Sequence, residues 1–333
     1  MAPELADSAA AALHRDAFYL DAAVPLVNAR LLPRYLPDLQ AGGVDAILTT
    51  VASLEDCHYA VSALADWHAL ANGGAYPFRL CATVAEFRAA KQDGVLAVGL
   101  HFQGGNPLEQ DVDLVDAYHA LGVRQMLFAY NKNNLAGGGC HNGNEGLTDF
   151  GRAVIGEMNR LGMVVDLSHC SHRTTMEAMA LSTAPCIFSH SNSRELWDHE
   201  RNIYDDQVKA CAATGGVVGI VGIGIFLGNN DIRTSTLADH IDHYVNLVGP
   251  AHVGIGLDYA FEAEGGDEGL GSVLDAAPDY WPKSQYDYPS VDCAHPRQIF
   301  ELTEELLRRQ YKEDDVVAIL GGNFMRVAEA VWK

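Results

Sequence analysis

The chain has 333 residues, of which 48% are apolar and 20% are charged, and this composition excludes a disordered or collagen-like protein. Lysine and arginine together number 22, against 44 aspartates and glutamates, so the formal net charge is -22. Because a surface this acidic repels phosphate backbones and anionic lipids, we expect neither nucleic acid nor a membrane among the partners of this protein.

The cysteines and the first residues of the chain indicate its compartment. Seven scattered cysteines include no CxxC pair, which argues against a disulfide framework and against a cysteine-based zinc site. Residues 1–15 are rich in alanine and lack the basic and long apolar stretches of a signal peptide. We therefore expect a cytoplasmic protein in which residues 1–15 form an extension that is either poorly structured or helical.

Short apolar runs alternate with amphipathic stretches along the whole chain. Their near-continuous apolar character is typical of strands buried on both faces of a parallel sheet. The runs are 18–23, 45–51, 96–103, 123–130, 163–169, 184–190, 217–223 and 252–258. This alternation predicts a single-domain (β/α)₈ barrel spanning residues 1–333. An open doubly wound sheet is the alternative, although no GxGxxG follows the first strand.

Helices are predicted between these runs, wherever apolar residues recur at three- and four-residue spacing. Thr148 is a candidate N-cap for one of them. The predicted helices are 54–72, 110–121, 148–161, 171–182, 205–214, 237–248, 297–309, 313–320 and 323–331. Two long loops, 131–146 and 260–292, are expected at the carboxyl-terminal face of the barrel, where substrates bind.

Polar side chains stand at the ends of several predicted strands. The fifth predicted strand ends at His169, the sixth at His190 and the eighth at Asp258. Because strand ends converge in a barrel, these side chains suit a zinc-like ion that acidifies a bound water, with the carboxylate as proton acceptor. The alternative is that each histidine forms an ordinary hydrogen bond at its strand end.

Five segments of the chain resemble the membrane dipeptidase (renal dipeptidase) family of the amidohydrolase superfamily. They are 146–169, 184–196, 199–210, 240–260 and 319–327, and the resemblance extends from about residue 16 to the end. It implies a (β/α)₈ barrel with a metal centre at its carboxyl-terminal face. It further implies metal binding by His169 and His190, an acid–base role for Asp258, and a substrate carboxylate held by the guanidinium fork of Arg201.

The chain departs from the family pattern where that pattern places the ligands of a second metal. The His-x-Asp pair of the first strand corresponds to Ala23 and Pro25, and the bridging glutamate corresponds to Gln103. Without these carboxylates the charge of a second ion is uncompensated. We therefore expect at most one Zn²⁺, bound by His169, His190 and the amide oxygen of Gln103, or no metal at all.

Three further residues of the predicted site depend on this comparison. Tyr130 replaces the family histidine that contacts substrate, and we assign Tyr130 and the adjacent Asn131 to substrate binding. His101, two residues before Gln103, shares its strand face and is either a substitute ligand or an interior packing residue.

Three functions are compatible with these residues. The first is a metal-dependent hydrolase that cleaves a dipeptide or another small amide with a free carboxylate. The second is a metal-free acid–base enzyme, and the third is a catalytically inactive barrel that binds a small molecule. A homodimer is the expected assembly, because two-fold pairs are the commonest symmetric oligomers.

Overall fold

The computed structural model describes residues 9–259 and 277–333. Its parallel strands are β1 (Leu20–Val24), β2 (Ala46–Ala52), β3 (Phe78–Leu80), β4 (Leu96–Phe102), β5 (Val123–Leu127), β6 (Val164–Asp166), β7 (Cys186–Phe188), β8 (Val217–Ile220) and β9 (Val253–Ile255). The order around the sheet is β1-β2-β4-β5-β6-β7-β8-β9, with β3 paired to β4 outside this path. The predicted barrel is confirmed, and each predicted run overlaps one of its strands.

Helices connect most of these strands. They are α1 (Ala9–Asp16), α2 (Leu32–Ala41), α3 (Cys57–Asn72), α4 (Val84–Gln92), α5 (Leu114–Ala120), α6 (Asp149–Leu161), α7 (His172–Leu181), α8 (Asp205–Ala213), α9 (Gly224–Leu227), α10 (Thr234–Val248), α11 (Lys283–Tyr286), α12 (Gln298–Arg308), α13 (Glu313–Val317) and α14 (Asn323–Val331). The hydroxyl of Thr148 accepts a hydrogen bond from the Gly151 N–H, which confirms the predicted N-cap. The predicted helix 313–320 instead ends at Val317, where a π-turn follows.

Several elements were not predicted from the sequence, among them β3, α2, α4 and the four-residue helices α9 and α11. The strand β3 has only three residues, and two of them are partly exposed, so its apolar signal is weak. The helix α2 contains Pro37, a residue that normally ends a helical pattern. The helix α4 begins with a capping box between Thr83 and Glu86, a signal that the sequence did contain.

The barrel closes between β9 and β1 through backbone groups at the end of β9. The Asp258 N–H donates to the Ala23 carbonyl over 2.9 Å, and the Leu257 N–H donates to Asp21 Oδ1 over 3.0 Å. Every residue of the eight barrel strands is buried. Side chains just beyond the strand ends are therefore the ones that can reach a ligand.

Two findings concern predictions about the rest of the chain. In the part of the chain that the structure describes, no helix combines the length and the apolar character needed to cross a bilayer. The predicted loop 131–146 contains no helix and no strand of the sheet. Residues 260–276 of the other predicted loop lie outside the described residues, and its remaining part, from 277 onward, packs over the barrel mouth.

Candidate active site

The predicted site residues follow the strand ends at the barrel mouth, and several occupy an unusual backbone conformation. Asn131, His169 and Asp258 have φ angles of 59°, 63° and 53°. Side chains other than glycine rarely adopt this left-handed region, although Asn, Asp and His tolerate it best. Such residues cluster at functional sites, where the surrounding structure holds them in place. Three strand ends of the barrel with this feature, after β5, β6 and β9, therefore mark the mouth as a candidate active site.

The two histidines face each other directly. His169 Nε2 and His190 Nε2 lie 2.9 Å apart, and both side chains are buried. Burial lowers the pKa of both imidazoles well below the usual value, and the nearby charge of Arg201 lowers it further. Both rings are therefore neutral near pH 7, which is the form that binds metal ions.

A hydrogen-bond chain fixes the tautomer of His190. Its Nδ1 lies 2.6 Å from the Ser189 hydroxyl oxygen, and that hydroxyl donates to Asp166 Oδ2 over 2.5 Å. Asp166 also accepts two backbone N–H groups and the Gln125 amide. Burial raises the pKa of Asp166, and the hydrogen bonds from Ser189 and Ser168 oppose that shift. The Ser189 proton is thus committed to Asp166, and the His190 Nδ1–H must donate to Ser189. The Nε2 lone pair of His190 then points towards His169.

Asp258 is placed to exchange protons beside this pair. Its Oδ2 lies 3.9 Å from His190 Nε2, and its Oδ1 accepts from Gln103 Nε2 over 3.5 Å. Burial raises the pKa of Asp258 to about 6, while the charge of Arg201 and the Gln103 hydrogen bond oppose that shift. A carboxyl group with a pKa this close to neutrality suits general acid–base catalysis.

Arg201 is a buried cation at the centre of the site, with 2% of its surface exposed. Its Nε donates to His169 Nδ1 over 3.1 Å, and its two Nη atoms donate to Ser191 Oγ over 3.2 Å and to the His190 carbonyl over 2.8 Å. A guanidinium has five N–H groups, so two are left for a ligand. Arg201 and His169 both border a cleft of about 690 Å³.

Tyr130 and Asn131 both contact His169. The Tyr130 ring stacks on the imidazole, with centroids 4.0 Å apart and planes inclined by 22°, and the Trp281 ring meets Tyr130 edge-on at 5.9 Å. Asn131 is buried, with its Oδ1 2.6 Å from His169 Nδ1 and its Nδ2 donating to the Tyr280 carbonyl over 3.0 Å. The predicted substrate-binding pair is therefore also the immediate support of His169.

Two buried titratable groups lie deeper in the barrel. His101 Nε2 contacts the Thr50 hydroxyl over 3.1 Å, and burial lowers the pKa of His101 to about 3. Burial raises the pKa of Asp21 to about 8, and the charge of Asp258 adds to this shift. His101 Nδ1 and Asp21 Oδ2 have no hydrogen-bond partner among the described residues. Because Thr50 engages its Nε2, His101 is packed as an interior residue.

Sequence reasoning assigned no functional role to Asp166, Ser189 or Trp281. Asp166 and Ser189 stand in the same strand-end segments as His169 and His190, so the signal was their position. Their importance depends on a contact between neighbouring strands that spacing alone does not reveal. Trp281 reaches Tyr130 from a loop far away in the sequence.

A family model described as membrane dipeptidase (peptidase family M19) matches residues 27–277. The chain belongs to the membrane dipeptidase family. The resemblance predicted from the sequence is thereby confirmed. Among curated relatives, an uncharacterized dipeptidase of Schizosaccharomyces pombe is 32% identical, with 73% of this chain and 59% of the relative covered. Human dipeptidase 3 is 29% identical, with 77% of this chain and 50% of the relative covered. The chain thus spans about half to three-fifths of the length of these curated relatives.

Solved structures share the same fold. An amidohydrolase from Pseudomonas aeruginosa is 28% identical and superposes with a TM-score of 0.88, covering 98% of this chain and 99% of that one. A metallopeptidase from Rhodobacter sphaeroides, solved with a phosphinate mimic of the dipeptide L-Ala-D-Ala, is 20% identical with a TM-score of 0.78, covering 95% and 100%. Because the Rhodobacter sphaeroides protein is only 20% identical, its similarity to this chain establishes the barrel fold and nothing further.

The membrane dipeptidase family implies a metal, and two imidazole nitrogens meet at the barrel mouth. The Nε2 atoms of His169 and His190 converge, and ligand nitrogens of tetrahedral zinc are about 3.3 Å apart, so the observed 2.9 Å requires only a slight opening. Ala23 and Pro25 carry no ligand atom in their side chains. Among the described residues, no group of three or more His, Cys, Asp or Glu side chains is arranged to hold a metal. The Gln103 amide donates to Asp258 Oδ1, and its predicted part in binding an ion stays a prediction.

Proposed function

We propose that this protein is a metal-dependent hydrolase that cleaves a small amide, such as a dipeptide, in a substrate with a free carboxylate. The observation that carries the proposal is the convergence of two neutral, buried imidazoles beside Asp258, with Arg201 on the other side of His169. Membership of the membrane dipeptidase family, which includes relatives named as dipeptidases, supports the same reaction class.

Arg201 holds the substrate in this proposal. Its two remaining N–H groups bind the carboxylate, and its contacts with Ser191 and the His190 carbonyl fix the guanidinium plane. The rings of Tyr130 and Trp281 provide an apolar wall beside His169 for the rest of the substrate. Because most of this site is buried, these contacts also exclude water.

Asp258 moves the protons. Above its pKa of about 6 the carboxylate accepts a proton from the attacking water, and the same group then delivers that proton to the leaving amine. One divalent ion on His169 and His190 would supply Lewis acidity for the carbonyl and would acidify the water. Ser189 and Asp166 keep the His190 ring in the orientation that this arrangement needs.

A metal-free acid–base enzyme is a second candidate, and the charge balance of the site favours it. The positive charge of Arg201 already offsets the negative charge of Asp258. An added dication therefore has little carboxylate to compensate it. In this alternative, His169, His190 and Asp258 carry out proton transfer without a Lewis acid.

Metal analysis separates the two candidates. We expect about one zinc per chain after supplementation and removal of excess metal, and we expect His169→Ala to lose it. His172→Ala is the matched control, because His172 borders the same cleft but bonds Asp206 rather than the His169–His190 pair, so its removal should leave the metal content unchanged. Hydrolysis of dipeptides and N-acyl amino acids is then assayed. No zinc after supplementation rejects the metal-dependent proposal, and hydrolysis by such a zinc-free protein would establish the alternative.

A further inference from the structure

The cleft bordered by Arg201 and His169 is lined by more carboxylates than lysine and arginine side chains. Its acidic side chains are those of Glu195, Glu200, Asp205 and Asp206. Its lysine and arginine side chains besides Arg201 are those of Arg194 and Lys209. A ligand that enters this cleft with its carboxylate on Arg201 therefore meets further negative charges on the walls, and these charges favour a positive group elsewhere on the ligand.

The other two cations of the cleft do not balance Glu200. Arg194 Nε donates to Asp198 Oδ1 over 2.8 Å, and its guanidinium carbon lies 4.8 Å from the centroid of the Tyr204 ring. Lys209 lies on α8, three and four residues after the two aspartates of the cleft, which is the spacing of neighbouring side chains on a helix. In the part of the chain that the structure describes, neither cation forms an ion pair with Glu200.

Glu200 contacts a histidine instead. Its Oε2 lies 2.8 Å from His141 Nδ1, while His141 Nε2 lies 2.9 Å from the Tyr286 hydroxyl. Burial lowers the pKa of His141, and the hydrogen bond with Glu200 opposes that shift only in part, so the ring is neutral near pH 7. The charge of the Glu200 carboxylate is therefore not balanced by an imidazolium. Its side chain is 41% exposed, and its Oε1 makes no hydrogen bond with the described residues.

Asn202 is an independent sign that this cleft binds an N–H group. Asn202 borders the cleft and is 4% exposed. Its Nδ2 donates to the Trp197 carbonyl over 2.9 Å and to the Phe226 carbonyl over 2.8 Å, which fixes the orientation of the amide. The Oδ1 atom can then only accept, and it has no hydrogen-bond partner among the described residues. Because buried acceptors are normally paired, a ligand N–H is the group that this atom lacks.

The backbone holds Glu200 and Arg201 side by side. The Glu200 N–H donates to Gln285 Oε1 over 3.0 Å, and the Arg201 N–H donates to His199 Nδ1 over 3.0 Å. The Arg201 guanidinium is fixed in addition by its contact with Ser191. A guanidinium and a carboxylate held at consecutive positions beside one cleft can bind the two charged ends of a single ligand.

We propose that this cleft is a subsite for a basic side chain on the residue whose free carboxylate Arg201 binds. Glu200 determines the specificity, while Glu195 adds negative charge and Asn202 adds an acceptor. The substrate class is then a dipeptide or N-acyl amino acid that ends in lysine, ornithine or arginine. The inference rests on the proposed function, in which Arg201 binds the carboxylate. The same charges repel an acidic side chain, and an apolar side chain gains nothing from them.

A matched pair of small acids tests the subsite without any hydrolysis. Hexanoate and 6-aminohexanoate share their chain length and carboxylate, and they differ in the ammonium group at the far end. Isothermal titration calorimetry of the whole chain at pH 7 should show that 6-aminohexanoate binds about tenfold more tightly than hexanoate. Equal affinities for the two acids would overturn the proposal.

Variants of Glu200 assign the preference to this residue. Glu200→Gln removes the charge and should lower the affinity for 6-aminohexanoate to about that for hexanoate. Glu200→Asp keeps the charge and should keep most of the preference, whereas Glu200→Lys should reverse it. Glu304→Gln is the matched control, because Glu304 is exposed on α12 and does not border the cleft. A preference that survives in Glu200→Gln, or that falls equally in Glu304→Gln, refutes the role of Glu200.

Dipeptide hydrolysis separates this inference from the proposed function. With Zn²⁺ present, glycyl-lysine should have a kcat/KM about tenfold higher than glycyl-norleucine, mainly through a lower KM, and Glu200→Gln should remove the difference. A protein that cleaves neither dipeptide but prefers 6-aminohexanoate fails the proposed function and retains the subsite. An enzyme that cleaves both dipeptides equally well retains the proposed function and loses the subsite.

Discussion

Replacement of Gln103 by glutamate should make the stability of the protein depend strongly on a divalent ion. Gln103 is buried, and its Nε2 lies 3.5 Å from Asp258 Oδ1. A second carboxylate at that distance repels the first by about 4.7 kcal/mol at an effective dielectric constant of about 20, which corresponds to more than about three pKa units. Without metal, the Gln103→Glu protein should therefore be less stable than the wild type and hold one shared proton near neutral pH.

Addition of an ion should reverse this effect. The new carboxylate then compensates the ion's charge, so Zn²⁺ should bind more tightly to the variant. If the affinity rises about a hundredfold, saturating Zn²⁺ contributes about 2.7 kcal/mol more stabilisation to the variant than to the wild type. Thermal unfolding in chelator and in excess Zn²⁺ measures the difference, which should amount to a shift of several degrees in Tm.

Gln125→Glu is the matched control for this experiment. Gln125 is also buried, and its Nε2 donates to Asp166 Oδ2 over 3.0 Å, so this variant also opposes two buried carboxylates. Asp166 is separated from the proposed ion by Ser189 and His190, and Zn²⁺ should not restore this variant. If Zn²⁺ restores the Tm of both variants equally, or does not raise the Tm of Gln103→Glu, then Gln103 does not face an ion site.

Two pH dependences follow from the same buried groups. The kcat/KM should fall as the pH drops through about 6, since Asp258 must be ionised to accept a proton. Because Arg201 lowers the pKa of Asp258, Arg201→Gln should move this acid limb of the pH profile to higher pH. A profile without an acid limb would exclude Asp258 as the base. Asp21 has its pKa raised from 3.8 to about 8, so the folded state binds its proton more tightly and stability should decline as the pH rises across that interval. Urea unfolding at pH 5 and pH 8 measures the free energy of unfolding, which should decline less between these pH values in Asp21→Asn than in the wild type. Identical declines in the two proteins would contradict the raised pKa of Asp21.

The barrel was predictable because its strands carry a strong local signal. Strands β7, β8 and β9 are buried on both faces and contain no charged or amide side chain, and amphipathic helix patterns follow them along the chain. The strand ends then placed His169, His190 and Asp258 at one mouth by topology alone. By contrast, β3 was missed because it has only three residues, two of them partly exposed, which is too few to show a periodicity.

The proton arrangement was not predictable, because it depends on distances across strands and loops. The Ser189 hydroxyl has one proton, and only its 2.5 Å contact with Asp166 shows where that proton goes. Likewise, the sequence placed Asn131 and Arg201 near a substrate but gave no sign that both approach the same nitrogen of His169. These contacts between strands and loops determine which group donates and which accepts in each hydrogen bond of the site.

The charges of this site connect its metal count to its substrate. Arg201 contributes one positive charge that is 2% exposed and cannot be relieved by solvent, and Asp258 contributes the facing negative charge. One dication therefore leaves a net charge of about +2 in a poorly solvated mouth, and a second dication would double that excess. A substrate carboxylate removes part of it, whereas a neutral amide removes none. An anionic substrate is thus electrostatically favoured in any state of this site that contains an ion, because ion and anion compensate each other where the family's carboxylates are missing.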